Sequence, residues 1–196
     1  MSDAPVASAD SPVASAGARR RSPEWAPLTA GTLAGVRALP AATRFIFRGG
    51  PEAMLAAGGA FGVELPQMAC RAAASGTRAA LWLGPDEQLL LAAEQEGAAC
   101  QSALAAALAS VAHSMVDVSH RQVAFEVHGA QAESLLNSGC PLDLCREAFP
   151  VDRCTRTVYA KTEIVLWRRS PEVFHVEVWR SFAEYLVGMW AEAAEG

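Results

Sequence analysis

The sequence predicts an α+β fold in which antiparallel sheets carry helices packed on them. Residues 78–93 read RAALWLGPDEQLLLAA, in which two apolar runs flank Gly84, Pro85, Asp86 and Glu87. This pattern indicates a β-hairpin, because a proline at the second position of a tight turn fixes the backbone angle that the turn needs. Other strand candidates alternate with helix candidates along the chain. Hairpins separated by helices are typical of α+β domains, and a ferredoxin-like unit used twice fits their order.

The first strand and the first helix are neighbours in the sequence. RFIF at residues 44–47 is typical of a buried strand, and the glycines that follow end it. Pro51 suits the first turn of a helix, where a backbone N–H has no partner within the helix. We therefore predict a short helix from Pro51 through Ala57 that stops at Gly58 and Gly59.

The middle of the chain predicts a second helix. The segment from Ala98 to Val111 is rich in alanine and places Leu104, Leu108 and Val111 on one helical face. This spacing indicates a helix that packs against a sheet through one side.

A bent strand follows, and it contains the stretch VDVSHRQ at residues 116–122. Val123, Phe125 and Val127 alternate with other residues, a period of two that is typical of a strand. We predict that VDVSHRQ forms the bend of a strand pair, which ends at Gly129.

The C-terminal part predicts a short helix, three strands and a final helix. The short helix contains Leu135 and Leu136 and stops near Gly139. Ser181 opens the final helix, with Glu184 three residues later in the capping-box position. The strand candidates are TRTVYA, TEIVLWRR and EVFHVEVW (residues 155–160, 162–169 and 172–179), and the predicted buried face of the final helix is Phe182, Leu186, Met189, Trp190 and Ala193.

The N-terminal residues differ in composition from the rest. PVASA occurs twice, at residues 5–9 and 12–16, within a stretch of alanine, serine, proline and aspartate. Such a stretch buries too little apolar surface to offset the entropy lost on ordering. We predict that residues 1–43 form a disordered or extended arm, mobile up to about residue 25, and that residues 44–196 form a single α+β domain.

Charge, hydropathy and cysteine content exclude several classes of protein. The formal net charge of -5 does not suit a nucleic-acid groove, which needs many cations to displace the counterions of phosphates. No apolar run reaches the roughly 20 residues that cross a bilayer, and the N-terminus does not resemble a secretory signal. The five cysteines are odd in number and scattered, which favours a reducing cytoplasm over a secreted disulfide scaffold.

VDVSHRQ places an acid, a hydroxyl and an imidazole side by side, as in an active site. Ser119, however, lacks the G-x-S-x-G frame of a hydrolase, and neighbouring side chains on a strand point to opposite faces. We predict that Asp117 and Ser119 hydrogen-bond to backbone amides at the bend, and that His120 is not their catalytic partner.

Metal and cofactor sites find little support in the residue spacing. The histidine and aspartate candidates are scattered, and the cysteines at 140, 145 and 154 match no compact zinc motif. GGAFG does not follow a strand in the G-x-G-x-x-G form of a dinucleotide site. We therefore predict no catalytic, cofactor or metal site in this chain. The histidine and aspartate candidates are His113, Asp117, His120 and His128.

Five blocks of sequence resemble the gamma subunit family of heterotetrameric sarcosine oxidases. The resemblance extends over about residues 40–194. Members often carry tryptophan where this chain has Gln88, and the long N-terminal arm is not part of the family pattern. The blocks are LWLGPDEQLLL (81–91), VDVSHRQVAFEVHG (116–129), GCPLDL (139–144), RTVYAKTEIVLWRR (156–169) and EVWRSFAEYL (177–186).

This resemblance implies a fold similar to the folate-binding domain of glycine-cleavage aminomethyltransferases. It implies alpha, beta and delta subunits as partners, alpha most directly, in a complex that demethylates sarcosine oxidatively. The products are glycine, hydrogen peroxide and either formaldehyde or 5,10-methylenetetrahydrofolate. FAD, FMN, NAD and tetrahydrofolate are implied for the alpha and beta subunits, and zinc for delta, leaving none in this chain.

On this interpretation the chain is a non-catalytic subunit, and some of its side chains are predicted to contact a partner. Arginine, tryptophan and tyrosine are enriched at the anchor positions of interfaces. Two alternatives stay open: a subunit of a related N-methyl amino-acid or amine dehydrogenase, and a freestanding folate-binding protein similar to aminomethyltransferases. The predicted interface residues are Trp82, His120, Arg121, Arg180 and Tyr185.

Overall fold

Two antiparallel sheets and four helices make up the part of the chain that the structure describes, a computed structural model of residues 28–30 and 34–195. The mobility predicted up to residue 25 lies outside these residues. The strands are β1 (Leu28–Ala30), β2 (Ala34–Ala38), β3 (Ala42–Gly49), β4 (Ala72–Ser75), β5 (Arg78–Gly84), β6 (Glu87–Ala93), β7 (His113–Asp117), β8 (Gln122–His128), β9 (Cys154–Tyr159), β10 (Thr162–Ser170) and β11 (Val173–Trp179). The helices are α1 (Pro51–Phe61), α2 (Gly97–Ala107), α3 (Ala132–Asn137) and α4 (Ala183–Glu195).

Each sheet contains one ferredoxin-like unit. Sheet I has the order β4-β5-β6-β3-β7, and the succession β3, α1, β5, β6, α2, β7 is a βαββαβ unit. Sheet II has the order β1-β2-β8-β11-β10-β9, and its unit is β8, α3, β10, β11 and α4. The fourth strand of this second unit is β2, which comes from the N-terminal side and pairs with β8. The predicted α+β class and the repeated unit are confirmed.

The two sheets pack face to face, with helices on their outer faces. Phe45 and Phe47 of β3 pack against α1 and α2 in one apolar cluster, while Phe125 of β8 packs with Trp190 of α4 in another. A third cluster joins the sheets and includes Leu89 of sheet I and Val165 of sheet II. The layer order is therefore helices, sheet I, sheet II, helices. None of the described helices is both long and apolar enough to cross a membrane.

The N-terminal arm was predicted too long. Residues 28–30 and 34–38 are strands of sheet II, and Val36 is buried in the cluster beneath α4. The predicted boundary after residue 43 lies inside β3, where Thr43 pairs with Ala92. The physical reason is that β2, with the sequence AGVRA, is poor in large side chains and shows no apolar alternation. It is a strand because it pairs with β8, far along the chain.

The first two helices end at positions other than those predicted. Helix α1 continues through Gly58 to Phe61 and ends at Gly62, whose φ of 77° is the left-handed conformation that glycine favours. A side chain at Gly58 would meet the carbonyl oxygen of Val63 at 3.2 Å, so this glycine permits a close approach of chain to helix. Helix α2 ends at Ala107 rather than residue 111.

Two further predictions were wrong in part. Strands β7 and β8, expected to pair across VDVSHRQ, lie in different sheets. Helix α4 begins at Ala183, after a short 3-10 turn at residues 180–182, and Phe182 is therefore exposed instead of buried. The hairpin of β5 and β6 and the three strands β9 to β11 are confirmed, as is the burial of Leu186 and Trp190.

Candidate functional site

VDVSHRQ is the crossing from sheet I to sheet II. The chain leaves β7 at Asp117 and enters β8 at Gln122. The backbone N–H of Arg180 donates to the carbonyl of Arg121 at 2.8 Å, which ties the crossing to the start of the last helix. The stretch is thus a junction between the sheets, where a bend leaves backbone groups that need further hydrogen bonds.

The polar side chains of this junction supply those hydrogen bonds. Ser119 Oγ accepts from the backbone N–H of Arg44 at 2.8 Å. The backbone N–H of Ser119 donates to Asp117 Oδ1, also at 2.8 Å. His120 is exposed, and Ser119 is buried. The predicted structural role of Asp117 and Ser119 is confirmed.

The residues considered as metal ligands are spread over the molecule. His113 stacks on Phe47 at the outer edge of sheet I, whereas His128 lies in sheet II. Cys140 belongs to the cluster under α3 and α4, and Cys154 lies between the sheets. Among the described residues, no group of three or more His, Cys, Asp or Glu side chains is arranged to hold a metal ion.

The cysteines differ in their environment, which predicts a selective reaction with alkylating agents. Burial between the sheets raises the pKa of Cys154 to about 12, whereas Cys145 is partly exposed. At pH 8 fewer than about one Cys154 side chain in a thousand is then a thiolate, the reactive form. Iodoacetamide followed by peptide mass spectrometry is expected to modify Cys145 in the native chain and Cys154 after unfolding in urea. Modification of Cys154 at the rate of Cys145 in the native chain would contradict the packing.

A buried ion pair joins the two sheets behind the junction. Nε of Arg44 on β3 donates to Oε2 of Glu177 on β11 at 2.6 Å, and their side chains are 2% and 0% exposed. His175 Nε2 hydrogen-bonds to the other carboxylate oxygen of Glu177 at 2.8 Å. Burial acts to raise the pKa of Glu177, but the charge of Arg44 and the bond from His175 outweigh it, so the pKa of Glu177 lies below its ordinary value.

A cleft of about 510 Å³ opens between the sheets beside this ion pair. Arg44, His175 and Glu177 line it together with Trp167 and Arg169 of β10. The remaining walls come from the β2–β3 connection, the β4–β5 turn and the residues after β6. No motif marked this cleft in the sequence, because its polar residues come from strands far apart along the chain.

An aromatic surface lies beside the junction. It consists of Trp179, Phe182 and Tyr185, which follow each other at intervals of three and are 40%, 43% and 37% exposed. The guanidinium of Arg121 lies over the Trp179 ring, 5.2 Å from its centroid. Large aromatic side chains beside an arginine are typical of protein–protein anchors rather than of free surface.

Comparison with known proteins decides the family. The model of the "sarcosine oxidase, gamma subunit family" matches residues 49–195. A sarcosine oxidase subunit gamma of Arthrobacter is 37% identical over 158 residues, which are 80% of this chain and 72% of that one. The chain belongs to the sarcosine oxidase gamma subunit family. The gamma subunit of Corynebacterium strain P-1 is 35% identical over the same shares of both chains.

Solved structures agree with this membership in the gamma subunit family. A chain of heterotetrameric sarcosine oxidase from Corynebacterium sp. U-96, solved with pyrrole 2-carboxylate, superposes with a TM-score of 0.78 at 30% identity. The match covers 83% of this chain and 84% of that one. Glycine cleavage system aminomethyltransferase T from Bartonella henselae has a TM-score of 0.63 at 14% identity, over 81% of this chain and 45% of that one. This second likeness shows a shared fold.

Gln88, where members of the family often carry tryptophan, is buried. Gln88 lies on β6, 1% exposed, and its Nε2 donates to the carbonyl oxygen of Pro66 at 2.8 Å. The amide thus holds the chain after α1 against sheet I. An indole at this position could make such a contact only with a different hydrogen-bond geometry. The substitution therefore concerns local packing.

Four of the five predicted interface residues of this gamma subunit lie around the junction. His120 and Arg121 are exposed on the crossing itself, while Arg180 and Tyr185 lie on the segment bonded to it. Trp82 lies apart from them, packed against the cluster between the sheets. Their contact with a partner stays a prediction. Trp179 and Phe182 were not among the predicted interface residues, although their spacing of three before Tyr185 was a signal.

Proposed function

We propose that this chain is the non-catalytic assembly subunit of a heterotetrameric sarcosine oxidase. The observation that carries the proposal is its likeness to a chain of that enzyme, at 30% identity over 84% of that chain. A family member that aligns over so much of a known subunit is expected to keep the subunit's place in the complex.

The proposed partners are the alpha, beta and delta subunits, with alpha in direct contact through the aromatic surface. In this arrangement the partners hold FAD, FMN, NAD, tetrahydrofolate and zinc, and they carry out the oxidation of sarcosine in the cytoplasm. The chain itself supplies a folded surface. Support comes from Ser119 and Asp117, whose side chains both accept hydrogen bonds from backbone N–H groups. They are therefore not paired with each other as a nucleophile and its base.

Production of the chain without its partners is expected to give poor solubility. The three aromatic side chains of the aromatic surface are each more than a third exposed, and such patches promote association. Coexpression with the alpha subunit is expected to raise the soluble fraction several-fold. A sharply melting soluble monomer obtained equally well with and without alpha would contradict this prediction.

The substrate of the whole complex separates the proposal from its nearest alternative. A related N-methyl amino-acid or amine dehydrogenase would use the same subunit plan with a different substrate. Turnover of sarcosine by the purified complex, compared with dimethylglycine and other N-methyl amines under the same conditions, decides between them. Preference for sarcosine supports the proposal, and preference for another amine supports the alternative.

A further inference from the structure

We propose that the cleft between the sheets is a binding site for a small organic carboxylate with a flat apolar body. The inference is separate from the role in assembly, because the cleft is formed entirely by residues of this chain. The kind of ligand that fits the cleft depends on which of its hydrogen-bonding groups are already paired.

The acceptors on the floor of the cleft are used within the protein. Both carboxylate oxygens of Glu177 are occupied, one by Arg44 and the other by His175. A ligand that approaches this floor therefore meets no free carboxylate oxygen of Glu177. A donor on the ligand would have to share an oxygen that already accepts a hydrogen bond.

A hydrogen-bond donor, in contrast, remains available beside that floor. Trp167 is 5% exposed and lines the cleft, and its indole N–H has no acceptor among the described residues. Arg44, which also lines the cleft, already donates through Nε to Glu177 and through Nη1 to the carbonyl oxygen of Ala42. A buried donor without an acceptor destabilises the protein, so a ligand that supplies acceptor oxygens recovers this loss.

The cation beside this indole favours an anion as the supplier of those oxygens. Of the three guanidinium groups that line the cleft, Arg44 is paired with Glu177 at 2.6 Å and Arg78 with Glu96 at 2.8 Å, whereas Arg169 lies 3.9 Å from Glu126. The guanidinium of Arg169 lies 5.3 Å from the centre of the Trp167 ring, next to the unpaired indole. A carboxylate between the two would accept charge-assisted hydrogen bonds, which are stronger than neutral ones.

The walls and the size of the cleft define the rest of the ligand. Leu39, Pro40 and Leu91 line it along with several alanines. Its volume of about 510 Å³ lies within the range of about 300–1,000 Å³ typical of small-molecule sites. Stacked sheets lie about 10 Å apart, so a flat body fits between them better than a branched one. An aromatic carboxylate satisfies all of these conditions.

The test is equilibrium dialysis of radiolabelled 2-naphthoate against the complex purified through a tag on this chain. If the chain purifies alone, the same dialysis is done on the full chain. Three variants are compared with the natural sequence. Arg169→Gln removes the cation beside Trp167, and Ala41→Trp fills the cleft from its wall. Arg37→Gln is the matched control, because Arg37 also bonds Glu126 on sheet II but does not line the cleft.

We expect one 2-naphthoate site per copy of this chain. Arg169→Gln is expected to weaken that site at least tenfold, Ala41→Trp to abolish it, and Arg37→Gln to leave it unchanged. Any 2-naphthoate bound by other subunits is the same in all samples, so the differences between samples measure binding to the cleft. The neutral analogue 2-naphthamide is expected to compete at least tenfold more weakly. Equal binding by all variants, or equal weakening by Arg37→Gln and Arg169→Gln, would overturn the proposal.

Discussion

Replacing Glu177 by leucine is expected to destabilise the chain by about 3–5 kcal/mol, the cost of leaving one partner of a buried ion pair behind. Arg44 and Glu177 are nearly inaccessible to solvent and are joined at 2.6 Å. Without Glu177, the guanidinium of Arg44 keeps its charge between the sheets and loses its carboxylate partner. The measurement is urea denaturation of the soluble fraction of the full chain at low concentration, monitored by tryptophan fluorescence.

The control for this result is the double variant Arg44→Leu/Glu177→Leu. Because it removes both charges and leaves apolar side chains of moderate size, it is expected to recover most of the lost stability. A cost of less than about 1 kcal/mol for Glu177→Leu alone would contradict the burial of the pair. Equal instability of the single and double variants would show that the side-chain volume of Glu177 matters more than its charge.

The same pair makes a contribution to stability that depends on pH. The folded pKa of Glu177 is lowered from the ordinary value of 4.5, so folding favours its ionised form. Its contribution is therefore complete above the unfolded pKa and is lost as the pH falls through the folded pKa. Glu177→Gln has no such group, so the difference in unfolding free energy between it and the natural chain is expected to shrink as the pH drops below about 4.5.

Replacing Trp179 and Phe182 together by serine is expected to abolish copurification with the alpha subunit. Both side chains are about two-fifths exposed on the aromatic surface, and Arg121 lies over the Trp179 ring. Anchor aromatics at interfaces contribute about 2 kcal/mol or more each when truncated, so the affinity should fall by about three orders of magnitude for the pair. The readout is the amount of alpha retained by the tagged chain, at equal expression.

The matched control lies in the helical layer on the opposite side of the molecule. Leu55 of α1 is 81% exposed, more than either aromatic side chain, and Leu55→Ser removes a comparable apolar contact. It is expected to leave the copurification unchanged. Retention of alpha by the double variant, together with its loss in Leu55→Ser, would move the interface to α1.

Local signals explain which parts of the fold the sequence could predict. The β5–β6 hairpin depends on a turn of four consecutive residues, and the strands β9 to β11 are rich in β-branched and aromatic residues and have short connections. The strands β1 and β2 carry no such signal, since β2 pairs with β8, almost ninety residues later along the chain, and β1 pairs with β2. The start of α4 was misplaced because periodicity shows a helical face and not the residue at which the helix begins.

The same distinction applies to the candidate sites. The bonds of Asp117 and Ser119 were predictable because one of them spans two residues and is a known habit of aspartate at turns. The ion pair was not, because Arg44 and Glu177 are 133 positions apart. The cleft beside it depends on how two sheets meet, a property of tertiary packing that no single segment contains.

The most direct test of the central claim is to purify the tagged chain from its native cells and to record the absorbance spectrum and the oxidation of sarcosine. We expect a stoichiometric complex with bound flavin that oxidises sarcosine, while the isolated chain is colourless and inactive. A chain that purifies alone and by itself binds tetrahydrofolate or turns over a methylamine would contradict a non-catalytic subunit. Asp117 and His120 would then be the first residues to substitute.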